Sequence, residues 1–349
     1  MTLPPAPCHI GPVADIRGVE MRSLHGKLMH AAAAILAIVT LAGTASAQTY
    51  PDRPIVIVLP FAPGGAGDLL ARLISVKLEQ RLGKPVLVEG KPGAGGVLAS
   101  NDVAKRTPDG YTLLMGTSSP LAIDVTLYKS LPYNPDTDFV PIVEMARVPF
   151  VLVVNPALPV KTVGELVQYA KSKPGELSFG SSGIGSPGHL YMELFKSMTG
   201  TNMIHVPYKG TLPALNDVVA GHIQLMFCDV GPCRGQLDAG TVRPLGISTD
   251  VRFNGVPNIP TIAESGVPGY EASAWQMLVM PAKTPRDIVK KLHGELKSIL
   301  DQQDMKDQIT KAGFITADNP SVDQLHAFMS AEISRWGKLV TQIGLAGSE

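Results

Sequence analysis

The stretch VLPFAPGGAGDLLARLI, Val58 to Ile74, passes from apolar residues of strand character through a proline-glycine loop into a helix. Leu70, Ile74, Leu78 and Leu82 recur at a spacing of four, and Gly83 closes the run, so the segment reads as a strand–loop–helix unit. Gly64, Gly65 and Gly67 permit positive φ and close backbone approach, and Asp68 can cap the helix start. No Gly-Lys-Ser/Thr follows, which excludes a phosphate-binding P-loop. The loop is either a tight strand-to-helix turn or a place where backbone N–H groups meet an anion.

The same alternation continues along the chain. Strand character recurs at 55–59, 85–89, 111–116, 150–155, 177–181, 202–208, 223–228, 243–248 and 275–282. Helices with readable starts lie between them: a capping box at Thr162 with Glu165, and at Thr284 an N-cap followed by Pro285 and Asp287. Alternating strand and helix predicts α/β architecture, and near-continuous apolar strands predict mostly parallel sheets covered on both faces. A proline- and glycine-rich stretch from Phe253 to Tyr270 suits a segment crossing between domains.

The N-terminal residues follow a different plan. Arg22 and Lys27 precede an apolar run from Ala31 to Ala42, and Ala45-Ser46-Ala47 supplies a small-residue cleavage site. That is the pattern of a secretory signal peptide, with cleavage expected after Ala47. The run is shorter than the roughly 20 residues a bilayer requires. Met1 to Glu20 reads as additional leader, with the start at Met1 or at Met21 left open. Residues 1–47 are therefore set aside as a removed leader. They carry three basic and two acidic residues, so 30 of each in the whole chain become 27 basic against 28 acidic, a formal charge of −1. A balanced chain without basic clusters offers no footprint for nucleic acid. The mature chain keeps Cys228 and Cys233, which are not spaced as C-x-x-C. In an oxidising compartment, with Gly231-Pro232 able to turn the chain back, a disulfide between them is one reading, and a buried free Cys228 at the strand end is the other.

Three loops carry polar groups at strand ends. The first is the glycine loop at 60–68. The second, FGSSGIGSPGH, holds a literal G-x-G-x-x-G in Gly183, Gly185 and Gly188, but the next strand ends in Tyr208-Lys209 and not in the acid a dinucleotide site wants. A serine-lined helix start accepting a carboxylate fits it better. The third places Thr117, Ser118 and Ser119 after a strand, where open α/β sheets bind ligands. No G-x-S-x-G elbow and no H-E-x-x-H occurs, so neither catalysis nor a metal or other cofactor is expected. His189 can donate to an anion or act as a structural cap. Asp229, just past an apolar strand, can touch a ligand amine or order its own loop.

YPDRPIVIVLPFAPGGAGDLLARLI, VEGKPGAGGVLASNDVAKRTPDGYTLLMGT, GSPGHLYMELFKSMTG, HVPYKGTLPALNDVVAGHIQLMF and IPTIAESGVPGYEASAWQMLVMPAKTP together resemble the Bug family, the extracytoplasmic solute receptors of tripartite tricarboxylate transporters. The resemblance covers about residues 50–338. It implies a type II two-lobed periplasmic binding protein, with lobe 1 at 48–150 and 276–349, lobe 2 at 151–275, and a cleft that closes on a small carboxylate. It implies that backbone groups and ordered waters near the first glycine loop hold one carboxylate end. The site residues it points to are Phe61, Ala62, Gly64, Gly65, Asp68, Thr117 and Ser118 in the first lobe. In the second they are Ser181, Ser182, Gly183, Ser186, His189 and Tyr208, with Asp229 displaced by one from the family's pattern and CDVGPC in place of its usual continuation. The implied partners are integral membrane transporter subunits, with the mature chain a periplasmic monomer that does not itself insert in the membrane. The competing readings are a receptor feeding a membrane signalling protein and a secreted α/β hydrolase.

Overall fold

A computed structural model describes residues 1, 50–60 and 66–349 of the chain. The signal peptide, its cleavage point, and Phe61, Ala62, Gly64 and Gly65 of the first glycine loop lie outside the described residues. Strand β1 (Ile55–Leu59) leads toward helix α1 (Ala66–Leu82), whose Leu70, Ile74 and Leu78 are fully buried. Gly83 takes φ +66° and returns its N–H to the Glu79 carbonyl at 2.8 Å, which ends the helix as the sequence indicates. Then follow β2 (Val86–Gly90), α2 (Val97–Ala104), β3 (Thr112–Thr117) and β4 (Phe139–Val148). After β5 (Phe150–Val154) come α3 (Val163–Ser172), β6 (Ser178–Ser181), α4 (Pro187–Thr199), β7 (Ile204–Pro207) and α5 (Thr211–Ala220). The chain continues through β8 (Leu225–Asp229), α6 (Val230–Asp238), β9 (Arg243–Ile247) and β10 (Ala274–Pro281), and finishes with α7 (Arg286–Leu300), α8 (Gln303–Lys311) and α9 (Val322–Gln342).

These strands form two five-stranded sheets, ordered β2-β1-β3-β10-β4 and β7-β6-β8-β5-β9. In each, four strands run one way and one runs against them: β10 in the first and β5 in the second. The reversed strand is the one by which the chain enters that sheet. β4 ends at Val148, a single residue (Pro149) follows, and β5 begins; β9 ends at Ile247 and the chain returns to the first sheet at Ala274. A chain that leaves one sheet at the C-terminal ends of its parallel strands, and enters a second sheet whose C-terminal ends face it, must run downward. The register shows this: Phe150 lies opposite Asp229 at the end of β8, and Gln276 opposite Thr117 at the end of β3.

One hydrophobic cluster runs beneath both sheets. Its bridge is aromatic: Tyr191 of α4 meets Phe150 edge-on at 5.0 Å and Trp336 of α9 at 5.5 Å, and the Tyr270 hydroxyl donates to the Tyr191 carbonyl at 2.9 Å. The stretch 253–270 is packed down, with Ile259, Ile262, Val267 and Tyr270 buried. Helix α7 starts one step later than the sequence indicates: Pro285 occupies the N-cap position, and the Thr284 hydroxyl donates back to the Pro281 carbonyl.

Candidate functional site

Two cavities lie where the strand ends of the two sheets face each other. The first, of about 340 Å3, is lined by Gly67 and Asp68 from the start of α1, Val148 at the end of β4, Asp229 and Gly231 at the start of α6, and Gln276 of β10. The second, of about 290 Å3, is lined by Ser119 and Asp124 on one side and by Ser182, Gly183 and Ser186 on the other, with Glu349 at its edge. A larger cavity of about 540 Å3 opens at the starts of α7 and α9, beside Arg286, His293 and Asp323. It lies at the opposite end of β10 from Gln276 and holds none of the candidate site residues named from the sequence, so size does not select the site.

The first cavity collects charge and helix ends. Asp68, buried in the first turn of α1, accepts from Arg72 Nε at 2.9 Å, one helical turn on. Asp229 ends β8 and stands at the N-cap of α6 without making a side-chain cap bond. One of its oxygens accepts from the Thr211 hydroxyl at 3.2 Å. Part of its side chain opens to the cavity while the rest is enclosed, and that burial pushes its pKa up to about 6. Thr117 closes β3 opposite Gln276, and Ser118 is buried directly after it.

The second loop spends most of its polar groups on itself. The Ser181 hydroxyl donates to the Gly183 carbonyl at 2.9 Å, accepts from the Gly183 N–H at 3.1 Å, and meets His205 Nε2 at 2.7 Å. Since its proton is already given to Gly183, the His205 nitrogen is the donor. Ser186 occupies the N-cap of α4 but donates to the Gly183 carbonyl at 2.7 Å. His189 Nδ1 accepts from the Gly185 N–H at 3.1 Å, so of the two roles open to it in the sequence the structure displays the cap-like one. Burial, with His205 and Lys196 nearby, pulls its pKa down to about 3. The Tyr208 hydroxyl donates to Asp217 at 2.6 Å. Ser182 remains exposed, and Gly183 at φ +138° holds a backbone that side chains disfavour.

Two further findings depart from the sequence reading. Cys228 and Cys233 are buried free thiols, Cys228 Sγ donating to the Asp229 carbonyl at 3.5 Å, so of the two readings the structure displays the free thiols and not the disulfide. Gly231 and Pro232 do not reverse the chain; they lie in the first turn of α6, which carries Cys233 inward. Gln276 was not singled out, yet it is 6% exposed and its side-chain carbonyl has no hydrogen-bond partner. Its signal is the lone amide in the otherwise apolar strand AWQMLVMP.

Among the described residues no cluster of three or more His, Cys, Asp or Glu side chains is placed to hold a metal ion, and no helix is long and apolar enough to cross a membrane. Residues 70–345 match the tripartite tricarboxylate transporter family receptor. The chain belongs to that family. The receptor is 36% identical over 310 residues to the protein BugT of Bordetella pertussis, an alignment covering 88% of this chain and 95% of BugT. It is similar to the solved structure of R. palustris Rpa4515 with adipate (38% identity, TM-score 0.73, covering 85% of this chain and 99% of that one). It is also similar to the periplasmic binding protein BugD (31% identity, TM-score 0.70, covering 85% and 99%). The receptor thus has the two-lobed periplasmic binding protein fold, and its relatives bind solutes and are not enzymes.

Proposed function

We propose that the receptor captures a small carboxylate between its two lobes and hands it to integral membrane transporter subunits. The observation that carries this reading is the first cavity, into which the first turns of α1 and α6 open from opposite sheets. Each helix start contributes about 0.3–1 kcal/mol to a nearby anion, and up to about 2 kcal/mol when partly buried. Micromolar binding needs about 8 kcal/mol. The difference falls to charge-assisted hydrogen bonds of about 1.5–3 kcal/mol each. Phe61, Ala62, Gly64, Gly65, Thr117 and Ser118 are proposed to supply them around α1, and Ser182, Gly183 and Ser186, which line the second cavity, to hold the solute's other end. Ser181, His189 and Tyr208, whose polar atoms are engaged within their own lobe, position that loop. Rpa4515, with adipate in its structure, supports the substrate class. The crossing at Pro149 and the return over 248–273 support lobes at 48–150 with 276–349, and at 151–275. The mature chain is proposed to be a periplasmic monomer cleaved after Ala47.

The test is a thermal-shift screen of small carboxylic acids beside their amides. Binding at a hundredfold excess over Kd adds about 2.7 kcal/mol to apparent stability. An acid that stabilises while its amide does not supports the reading, and equal shifts from both overturn it.

A further inference from the structure

We infer that the far end of the solute is a second carboxylate, that Asp124 meets it as a carboxylic acid, and that capture therefore takes up a proton. This rests on the carboxylate reading above and adds the form in which the second cavity accepts an anion.

Asp124 opens the helical turn Asp124–Leu127 and is 4% exposed. It lines the second cavity, across from Ser182, Gly183 and Ser186 of the other sheet's loop. The two walls touch beside it: a Cβ placed on Gly185 would fall 2.2 Å from Leu127 Cδ2, so the serine loop is seated on the turn that carries Asp124. Glu349 is tied to the same turn. Its N–H donates to the Leu127 carbonyl at 3.2 Å, and its carbonyl accepts from the Lys129 N–H at 3.0 Å.

Among the described residues neither a hydrogen-bond donor nor a cation meets the Asp124 carboxyl. Tyr128 and Tyr133 beside it are neutral, both held above the usual tyrosine range, and His189 behind the serine loop is neutral too. Helix α9 packs on the turn through Gly337, against Thr126; its Glu332 and Arg335 pair with each other, and Lys338 is exposed. The charge that does reach Asp124 is that of Glu349. Burial, with this like charge beside it, pushes the pKa of Asp124 up to about 7.

A solute carboxylate arriving here is a third anion, and it is repelled unless one of the three holds a proton. The enclosed carboxyl gives up least by being neutral. Asp124 takes its proton from water, and its O–H donates to a solute oxygen in a charge-assisted hydrogen bond. The exposed Ser182 hydroxyl is free to donate to the other oxygen, and no bond within the solute changes.

The experiment is isothermal titration of the receptor with succinate, malate, glutarate and adipate at pH 7 and pH 8.5, each in two buffers of different ionisation enthalpy. Asp229, with its pKa near 6, is ionised over that range. For a dicarboxylate that binds, about half a proton is taken up at pH 7 and close to one at pH 8.5, and affinity falls at least about fivefold between them. Asp124→Asn keeps the shape and offers an N–H donor that does not titrate. It abolishes the uptake and holds the two affinities within about twofold. A dicarboxylate that binds without taking up a proton overturns this inference and leaves the carboxylate receptor standing. So does a receptor that binds monocarboxylates alone. If no carboxylic acid binds, the reading beneath falls, and this inference with it.

Discussion

His189 and His205 lie face to face, their ring centroids 3.8 Å apart and their planes 8° from parallel. Two imidazolium rings could not share that stack, and burial with Lys196 nearby pulls the two pKa values down to about 3 and about 4. The unfolded chain binds these protons near pH 6.5 and the folded chain does not. Stability is therefore complete above pH 6.5 and is lost as pH falls from there toward 4. We expect a loss on the order of 2 kcal/mol from His189 between pH 6.5 and 5. Urea titrations of the wild type and of His205→Phe, which keeps a stacked ring, should show the smaller acid loss in the variant. Parallel pH profiles would refute the assignment.

Glu332 should be the most sensitive buried polar position of α9. Its Oε2 accepts from the indole N–H of both Trp275 at 3.1 Å and Trp336 at 2.9 Å, and its Oε1 from Arg335 at 3.2 Å. Glu332→Ala strands two buried indole donors, each worth about 1–3 kcal/mol, and should cost at least about 2 kcal/mol. Glu332→Gln keeps an acceptor and should cost less than half as much. Chemical denaturation followed by tryptophan fluorescence measures both, and equal costs would show that packing alone matters.

Gly67→Asp should separate folding from binding. An acidic residue in the first turn of α1 is favoured by the helix dipole, by about 0.3–1 kcal/mol, so the melting temperature should hold or rise. The same charge about 4 Å from a bound carboxylate repels it by about 4 kcal/mol at an effective dielectric of 20, roughly a thousandfold in affinity. A variant that folds and binds like the wild type would remove the first cavity from the site.

Thiol titration should find two reactive thiols after denaturation without reductant, and none before it. Both sulfurs are buried, and the neighbouring Cys233 thiol together with burial pushes the Cys228 thiol up, which keeps it protonated and unreactive. Absence of thiols in the denatured protein would mean that the pair is bridged.

Much of this architecture was legible because strands buried on both faces are written in continuous apolar letters. Ile55–Leu59 and Phe150–Val154 are of that kind. Strand β4 was missed because FVPIVEMARV contains a proline and two charges. Pro141 is tolerated since β4 is an edge strand whose outer side meets other backbone only at the Arg147–Ile315 bridge. Glu144 is buried there against Arg147 at 2.7 Å, and its backbone N–H donates to Asn319, 175 residues away, a compensation no local pattern displays. The site was legible as loops at strand ends and not as contacts. Which serine turns inward, and which amide is left without a donor, depends on the facing sheet.

The single residue between Val148 and Phe150 also limits how the two sheets can move against each other. Neighbouring α-carbons stand about 3.8 Å apart, and proline fixes its own φ, so Pro149 holds the end of β4 and the start of β5 together in any relative movement of the two sheets. Motion is smallest beside such an axle and grows with distance from it. Val148 adjoins the axle, Asp229 pairs with Phe150, and Gln276 lies opposite Ala146, so this corner of the cleft travels least. A closure of the two sheets about Pro149, as the proposed function requires, would leave this corner of the cleft nearly unchanged and move the outer loops further.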